Sequence, residues 1–340
     1  MTPADLVGGV MLVALVLYAL LGGGDFGGGV LDLVASGPRR DAQRALVERA
    51  LGPIWEANHV WLILVVVLLF SCFPAAFSAV SIGLFVPLVL LLAGIVLRGA
   101  AFTFRTYDRP DPTVRVRWGL VFSISSVLAP IMLGVGVGTL ASGRVVADGS
   151  APFAWLAPFP LAVGGLALAL FAFLAATYAA VEAADAPDLA LAGDFRARAL
   201  AAGVAVFAFA ALCGLLSARE APRVFAGLTS RSWSLALHLA TAAAALTAFG
   251  ALLRRRYRLA RLAGAAQAAL IVAGWGAGQH PYLVVPGITL ASAGASRATQ
   301  VAVLWAVAAG AVLLFPSLYL LFRTFKGERP FAVVDRRDRD

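Results

Sequence analysis

A group of polar and aromatic side chains lies at the start of a long apolar segment, where it could bind and transfer protons. The segment, residues 52–74, reads GPIWEANHVWLILVVVLLFSCFP and places Glu56, Asn58 and His59 in its first turns, with Trp61 close behind. A carboxylate and an imidazole can bind and release protons, and ionisable groups in apolar helices mark paths for protons, ions or electrons. A capped helix N-terminus with tryptophan anchors would use the same residue types.

A second carboxylate, Asp25, lies in the glycine-rich sequence LLGGGDFGGGVLDL. Glycines lack side chains and let a neighbouring helix approach the backbone closely, which favours tight packing around a buried acid. A nucleotide-binding loop is disfavoured because no strand precedes the segment and no Walker lysine follows it. We therefore predict that Asp25 is buried between packed helices.

The composition places these residues in a membrane protein. Hydrophobic residues make up 61% of the chain and charged residues only 13%, and the mean hydropathy is +0.90. The net charge of +9 does not indicate a nucleic-acid partner, because the arginines lie in short polar gaps between apolar stretches rather than in one patch. Cys72 and Cys213 lie in apolar stretches without metal or redox spacing, so we predict no metal site.

Apolar stretches of about 20 residues, the length that crosses a bilayer as a helix, predict an all-α polytopic fold with nine transmembrane helices. The spans are predicted near residues 5–35, 55–78, 80–105, 117–140, 155–183, 196–217, 232–253, 258–279 and 299–325. Together they form one integral membrane domain, residues 1–325, and residues 326–340 form a polar cytoplasmic tail.

The distribution of basic residues predicts the orientation of the chain. The odd-numbered gaps between spans and the C-terminal segment contain 22 of the 27 lysines and arginines. Cytoplasmic loops are enriched in basic residues, so we predict an N-terminus outside and a C-terminus in the cytoplasm. Asp25 and Glu56 then lie in the cytoplasmic half of adjacent antiparallel spans and would face one another. Arg98, deep in the third span, would either extend to lipid head groups or pair with Glu56 or a propionate-like anion.

Four segments in this order and spacing resemble subunit II of the cytochrome bd-type quinol oxidases. His59 stands where other relatives carry an uncharged polar residue, which brings the resemblance closer to the cyanide-insensitive branch of that family. The segments are the glycine-flanked Asp25, GPIWEANHVWL, LRGAAFTFR around Arg98, and QHPYLVVP. The resemblance implies two four-helix bundles plus a peripheral helix, with pseudo-repeats at about residues 1–140 and 155–279. It also implies a larger subunit I that carries haem b, haem d, the quinol site and the oxygen-reducing centre, and sometimes a small single-helix subunit. This chain would stabilise subunit I and could itself hold a structural quinone or lipid.

The resemblance also implies roles for individual residues, none of which is catalytic. Asp25 and Glu56 match acids of a proton path from the cytoplasm, although well-known relatives carry Asp at position 56. Trp61 matches a residue near the proposed route by which oxygen enters, or a packing residue. Asn58, His59 and Arg98 would support the proton path or pair with an anion.

Two other functional classes fit the same residues. Asp25, Glu56 and Arg98 among glycine-interrupted helices would also serve a proton-coupled secondary transporter or a channel. A membrane cytochrome b that acts alone would use His59, His238 and His280 as haem ligands. Three imidazoles spread over three spans are a poor ligand set, which favours haem binding by a partner.

Overall fold

The computed structural model describes residues 2–51, 55–107, 112–185 and 189–326 and is almost entirely helical. Its elements are α1 (Pro3–Leu33), α2 (Arg40–Leu51), α3 (Trp55–Cys72), α4 (Pro74–Gly83), α5 (Phe85–Tyr107), α6 (Pro112–Ser142), α7 (Pro158–Asp185), α8 (Leu189–Glu220), α9 (Pro222–Thr229), α10 (Ser234–Leu253), α11 (Tyr257–Gln279), β1 (Tyr282–Val284), β2 (Ile288–Thr289) and α12 (Arg297–Lys326). The predicted all-α polytopic fold is confirmed. Its one exception in the described ranges is the antiparallel pair β1–β2.

The long helices form two groups of four. In the first group, α1 packs against α3 and α6, and α5 packs against α6. In the second, α7 packs against α8 and α11, and α10 packs against α11. Contacts of α7 with α1 and α6 join the groups, so the buried residues run continuously from one bundle into the other. Helix α12 packs against α1 and α3, and its membrane-length window has no buried residue, as expected of a peripheral helix.

The predicted second span is broken at a proline. Residues 55–78 were predicted as one helix, but α3 ends at Cys72 and α4 leaves it at an angle of 119°. Pro74 causes the break, because proline has no N–H for the helical hydrogen bond and its ring clashes with the preceding turn. The third span accordingly begins at Phe85 rather than near residue 80. Eight described helices can cross a membrane, and the count reaches nine when the bent pair is taken as one span.

The second bundle contains a break of the same kind. Helix α9 follows α8 directly and begins at Pro222, as α4 follows α3 and begins at Pro74. The residues before the two prolines have nearly identical backbone angles, with φ −139° and ψ 59° at Phe73 and φ −135° and ψ 54° at Ala221. Each bundle therefore contains a long helix that ends at a proline, a short bent helix, and a hairpin of two further long helices.

The sequence-based spans missed the short elements and the ends of several long helices. The polar helix α2 lies in what was predicted as a simple gap, and α8 begins at Leu189 rather than near residue 196. Both segments contain charged residues, which end a hydropathy-based span without ending the helix itself. The predicted cytoplasmic tail, apart from Lys326 at the end of α12, lies outside the described residues.

Candidate functional site

A buried ion pair links α1 to α5 inside the first bundle. Nη2 of Arg98 lies 2.6 Å from Oδ1 of Asp25 and also donates to the backbone carbonyl of Asp25 at 3.1 Å. Nε of Arg98 donates to Oγ of Ser126 on α6 at 3.0 Å, and that hydroxyl donates to the carbonyl of Phe122. We call Asp25, Arg98 and Ser126 the Arg98 cluster. Both charged residues are 2% exposed, so the pair is removed from water and lipid alike.

Glycines of α1 allow neighbouring helices to approach the Arg98 cluster. A side chain at Gly27 would collide with the backbone carbonyl of Phe171 on α7, and one at Gly29 would collide with the hydroxyl of Ser126. These contacts bring the backbone of α1 against α7 and α6, the two helices that enclose Asp25. The glycine-rich sequence thus serves helix packing around a buried acid, as its composition predicts.

Aromatic rings complete the surroundings of Arg98. The guanidinium carbon lies 5.1 Å from the centre of the Phe26 ring and 5.0 Å from that of Phe122, within the range of cation–π attraction. The second carboxylate oxygen of Asp25, Oδ2, is buried and has no hydrogen-bond partner among the described residues. Arg98 is therefore held by five groups from four residues, whereas one oxygen of Asp25 remains available to bind a proton.

Helix α3 contributes the other polar residues predicted from the sequence. The ring of His59 lies 6.1 Å from that of Tyr18 and 5.9 Å from that of Phe26, and its Nδ1 is buried without a partner in the described part of the chain. Asn58 is buried beside it. The backbone of Glu56 lies in the first turn of α3, but its side chain lies outside the described residues. The structure therefore places His59 next to the Arg98 cluster through Phe26.

Trp61 points into the first bundle, where it contacts the peripheral helix. Its side chain is buried, and its ring centre lies 6.4 Å from that of Phe315 on α12. The indole N–H has no partner among the described residues. This geometry gives Trp61 a packing role between α3 and α12.

Two features of the site were not predicted. Arg98 pairs with Asp25, a partner that the sequence did not suggest, and the predicted pairing with the Glu56 side chain lies outside the described residues. Asp32 was not singled out, yet it is 2% exposed and lies on the same helix as Asp25. Its separation of seven residues from Asp25 places both on one helix face, and this spacing was a signal available in the sequence.

The ends of the two bundles near α2 are joined by a polar clasp, which we define as Arg39, Gln43, Asp194 and Arg198. Arg39 donates two hydrogen bonds to Asp194 at 2.6 and 2.8 Å, and Gln43 donates a third at 2.8 Å. Arg198 donates to the side-chain oxygen of Gln43 at 2.7 Å. The clasp therefore fixes the segment after α1 to the first turns of α8.

An apolar cavity of about 780 Å³ lies mainly in the second bundle, between α7, α8, α10 and α11, and residues of α1, α6 and α9 complete its lining. Among the described residues, no lysine, arginine, aspartate or glutamate lines it. Its few polar groups include the indole N–H of Trp275 and the side-chain oxygen of Gln267, both buried without partners in the described ranges. His238 also lines the cavity, and its Nδ1 lies 2.7 Å from the carbonyl of Ser234. The cavity thus suits a long apolar molecule with a small polar head.

The same cavity does not suit a haem. A haem has two propionates that need cationic or multiple hydrogen-bonding partners when buried, and the described lining offers no such cation. His59 and His280 lie elsewhere, the latter 3.8 Å from Asp5. No cluster of three or more His, Cys, Asp or Glu residues that could hold a metal occurs in the part of the chain that the structure describes.

Comparison with known proteins places this architecture among respiratory oxidase subunits. The model of the family "Cytochrome bd terminal oxidase subunit II" matches residues 4–325. Cytochrome bd-I ubiquinol oxidase subunit 2 of Escherichia coli K12 is 29% identical over 179 residues, which are 50% of this chain and 45% of that protein. Cytochrome bd ubiquinol oxidase subunit 2 of Bacillus subtilis is 31% identical over 137 residues, 40% of each chain. These alignments span less than half the length of the relatives.

A solved structure has the same fold over nearly the whole chain. A chain of the bd oxidase from Geobacillus thermodenitrificans superposes with a TM-score of 0.80, covering 97% of this chain and 100% of that one. The sequence identity over this superposition is 23%, so the likeness concerns the arrangement of the helices.

Proposed function

Because this chain belongs to the cytochrome bd terminal oxidase subunit II family, we propose that it is a subunit of a bacterial membrane complex that oxidises quinol and reduces oxygen to water. Within that complex it would stabilise a larger subunit I and supply protons from the cytoplasm. Family membership favours this assignment over a proton-coupled transporter or channel. A small single-helix subunit and membrane lipid are further proposed partners.

The observation that carries the proton-supply role is the unequal environment of the two Asp25 oxygens. Oδ1 is fixed by Arg98, whereas Oδ2 is buried without a partner among the described residues. When Oδ2 binds a proton, Arg98 keeps its bonds to Ser126 and to the Asp25 carbonyl. The acid can therefore change charge while its surroundings stay in place, which is what a relay group requires.

Glu56 is the proposed second acid of the path. Its position in the first turn of α3 lies three residues before His59, on the helix that packs against α1. We propose that Asn58 and His59 line the region between the two acids and that Arg98 sets the charge balance at Asp25. Trp61 is assigned to packing of α3, or to the route by which oxygen enters.

The proposed orientation places the N-terminus outside and the C-terminus in the cytoplasm, from the asymmetry of basic residues. The C-terminal end of α1, α2 and the first turn of α3 then face the cytoplasm. Protons consumed by oxygen reduction would enter at this side and reach Asp25 over a short distance.

Haem b and haem d are assigned to subunit I, because the described lining of the apolar cavity in the second bundle lacks cations for haem propionates. We propose that this cavity holds a structural quinone or a lipid instead. Trp275 would donate its indole N–H to a head-group oxygen, and Gln267 would accept from a hydroxyl. A bound quinone would fill the cavity with apolar surface, and Trp275 and Gln267 would orient its head group.

The content of the cavity can be tested on the purified complex. Solvent extraction should release about one quinone per complex, and Trp275→Phe should lower that amount because the donor is lost. Trp305→Phe, on the exposed surface of α12, is the matched control and should retain it. An extract with phospholipid and no quinone would assign the cavity to lipid, and an unchanged quinone content in Trp275→Phe would exclude this binding mode.

The two bundles are proposed to be copies of one structural unit, at about residues 1–140 and 155–279. The matching breaks at Pro74 and Pro222 support this proposal, as does the equivalent helix order around them.

A pull-down through a tag on this chain tests the proposed function directly. We expect a larger membrane subunit to co-purify, an optical spectrum with haem b and haem d, and oxygen consumption with quinol as donor. Expressed alone, the chain should give no stoichiometric Soret band. A haem spectrum from the isolated chain that His238→Ala removes would indicate a stand-alone cytochrome. Proton-coupled solute uptake without oxygen consumption would indicate a transporter.

A further inference from the structure

Asp32 has surroundings that resemble those of Asp25. It lies seven residues later on α1, two helical turns toward the C-terminal end, on the same helix face. Oγ of Ser123 on α6 donates to its Oδ2 at 3.0 Å, and Nε of Arg44 on α2 lies 3.6 Å from its Oδ1. We call Asp32, Arg44 and Ser123 the Arg44 cluster.

The two clusters have the same composition at two depths. Each contains one carboxylate from α1, one serine from α6 and one arginine from a neighbouring helix. The serines, Ser123 and Ser126, are three residues apart and therefore lie on one face of α6. The Arg98 cluster is fully enclosed, whereas the side chain of Arg44 is 31% exposed. The Arg44 cluster thus lies between the surface and the enclosed acid.

We propose that Asp32 is the first acid of the route to Asp25, taking up protons at the end of α1 near α2. A proton from water beside Arg44 adds to the Asp32 carboxylate and gives the neutral acid. The acid then gives this proton to the hydroxyl of Ser123, which releases its own proton toward Ser126, and the hydroxyl of Ser126 accepts that proton and releases its own toward Asp25. The transfer ends with an O–H bond on Oδ2 of Asp25 and a restored carboxylate at Asp32.

The dimensions of the two helices suit such a transfer. Asp25 and Asp32 are separated by roughly 10 Å along α1, from a rise of about 1.5 Å per residue. Serine side chains three residues apart on α6 are about 5–6 Å apart at their Cβ atoms and divide this distance. Gly29 lies between the acids and, having no side chain, leaves room for the hydroxyl of Ser126.

The inference rests on the proposed proton supply to an oxidase, and its test uses the assembled complex. In Asp32→Asn we expect kcat for quinol oxidation to fall by roughly tenfold or more, with haem content and the KM for quinol unchanged. Proton uptake in vesicles should slow in parallel, and Asp32→Glu should restore most of both rates. Asp41→Asn, which removes an exposed carboxylate of α2, is the matched control and should leave them unchanged.

The outcomes separate this inference from the proposed function. An Asp32→Asn complex with full haem and normal proton uptake would overturn the role of Asp32 while leaving the oxidase assignment intact. If Asp32→Asn does not assemble, Ser123→Ala decides in the same assay, where slowed uptake supports the route and an unchanged rate overturns it. A wild-type complex without quinol oxidase activity would instead overturn the proposed function.

Discussion

Removing one member of the Asp25–Arg98 pair should destabilise the protein more than removing almost any other charge. Arg98→Met keeps an unbranched side chain of similar length but leaves the Asp25 carboxylate buried without its partner. Breaking a buried pair in this way costs about 3–5 kcal/mol, because the remaining charge has neither water nor a counter-charge. The variant also loses two cation–π contacts, each worth about 0.5–2 kcal/mol. We therefore expect a loss of at least about 3 kcal/mol.

The assay is equilibrium unfolding of the purified complex by titration with sodium dodecyl sulfate, followed by tryptophan fluorescence. The double variant Arg98→Met, Asp25→Leu should recover most of the loss, since it leaves no uncompensated charge in the bundle. Arg297→Met, at the exposed start of α12, is the control for removing an arginine and should change the free energy of unfolding by less than about 0.5 kcal/mol. A loss below about 1 kcal/mol in Arg98→Met, the level of an exposed ion pair, would refute the reasoning.

Three further predictions concern the proton path, the orientation and the packing. Glu56→Gln should lower quinol-oxidase activity and proton uptake with haem retained, and Glu56→Asp should keep most of both; normal turnover in Glu56→Gln would exclude the relay role. Reporter fusions at Arg256 should report the cytoplasm and those at Gly149 the exterior, and exchanged signals would invalidate the orientation. Gly27→Ala should reduce the yield of assembled complex in a membrane extract, because the added Cβ would collide with the backbone of Phe171. Gly9→Ala is the control and should leave the yield unchanged, since there is open space around Gly9. Equal yields of the two variants would contradict a role of Gly27 in helix packing.

The membrane-spanning helices were predictable from the sequence because lipid exposure imposes a simple requirement on them. A bilayer span needs about 20 apolar residues, and this rule located every long helix to within a few residues at most ends. The break at Pro74 was also within reach, since proline ends a helix wherever the preceding carbonyls cannot be rearranged. Hydropathy alone missed it, because the residues on both sides of Pro74 are equally apolar.

The partners of the charged residues were not predictable, because they depend on how the helices pack. Arg98 and Asp25 are 73 residues apart, and only the placement of α6 beside both α1 and α5 brings them together. The apolar cavity was also not predictable from the sequence, since most of its lining residues are ordinary apolar residues and they come from seven helices. Asp32 was not predicted as a site residue because it lies near the end of the first predicted span, where carboxylates are usually exposed to solvent.

The position of the cavity determines how a guest molecule would reach it. Three of its lining residues, Val204 and Phe207 on α8 and Leu246 on α10, are largely exposed on the outer surface of the second bundle. Helices α8 and α10 touch each other much less than α8 touches α7 or α10 touches α11, so the seam between α8 and α10 is a loosely packed part of the cavity wall. The polar clasp binds the first turns of α8 and does not reach the part of α8 that lines the cavity. A hydrophobic molecule would thus arrive by lateral diffusion within the bilayer, and its concentration in the lipid, rather than in water, would set the occupancy.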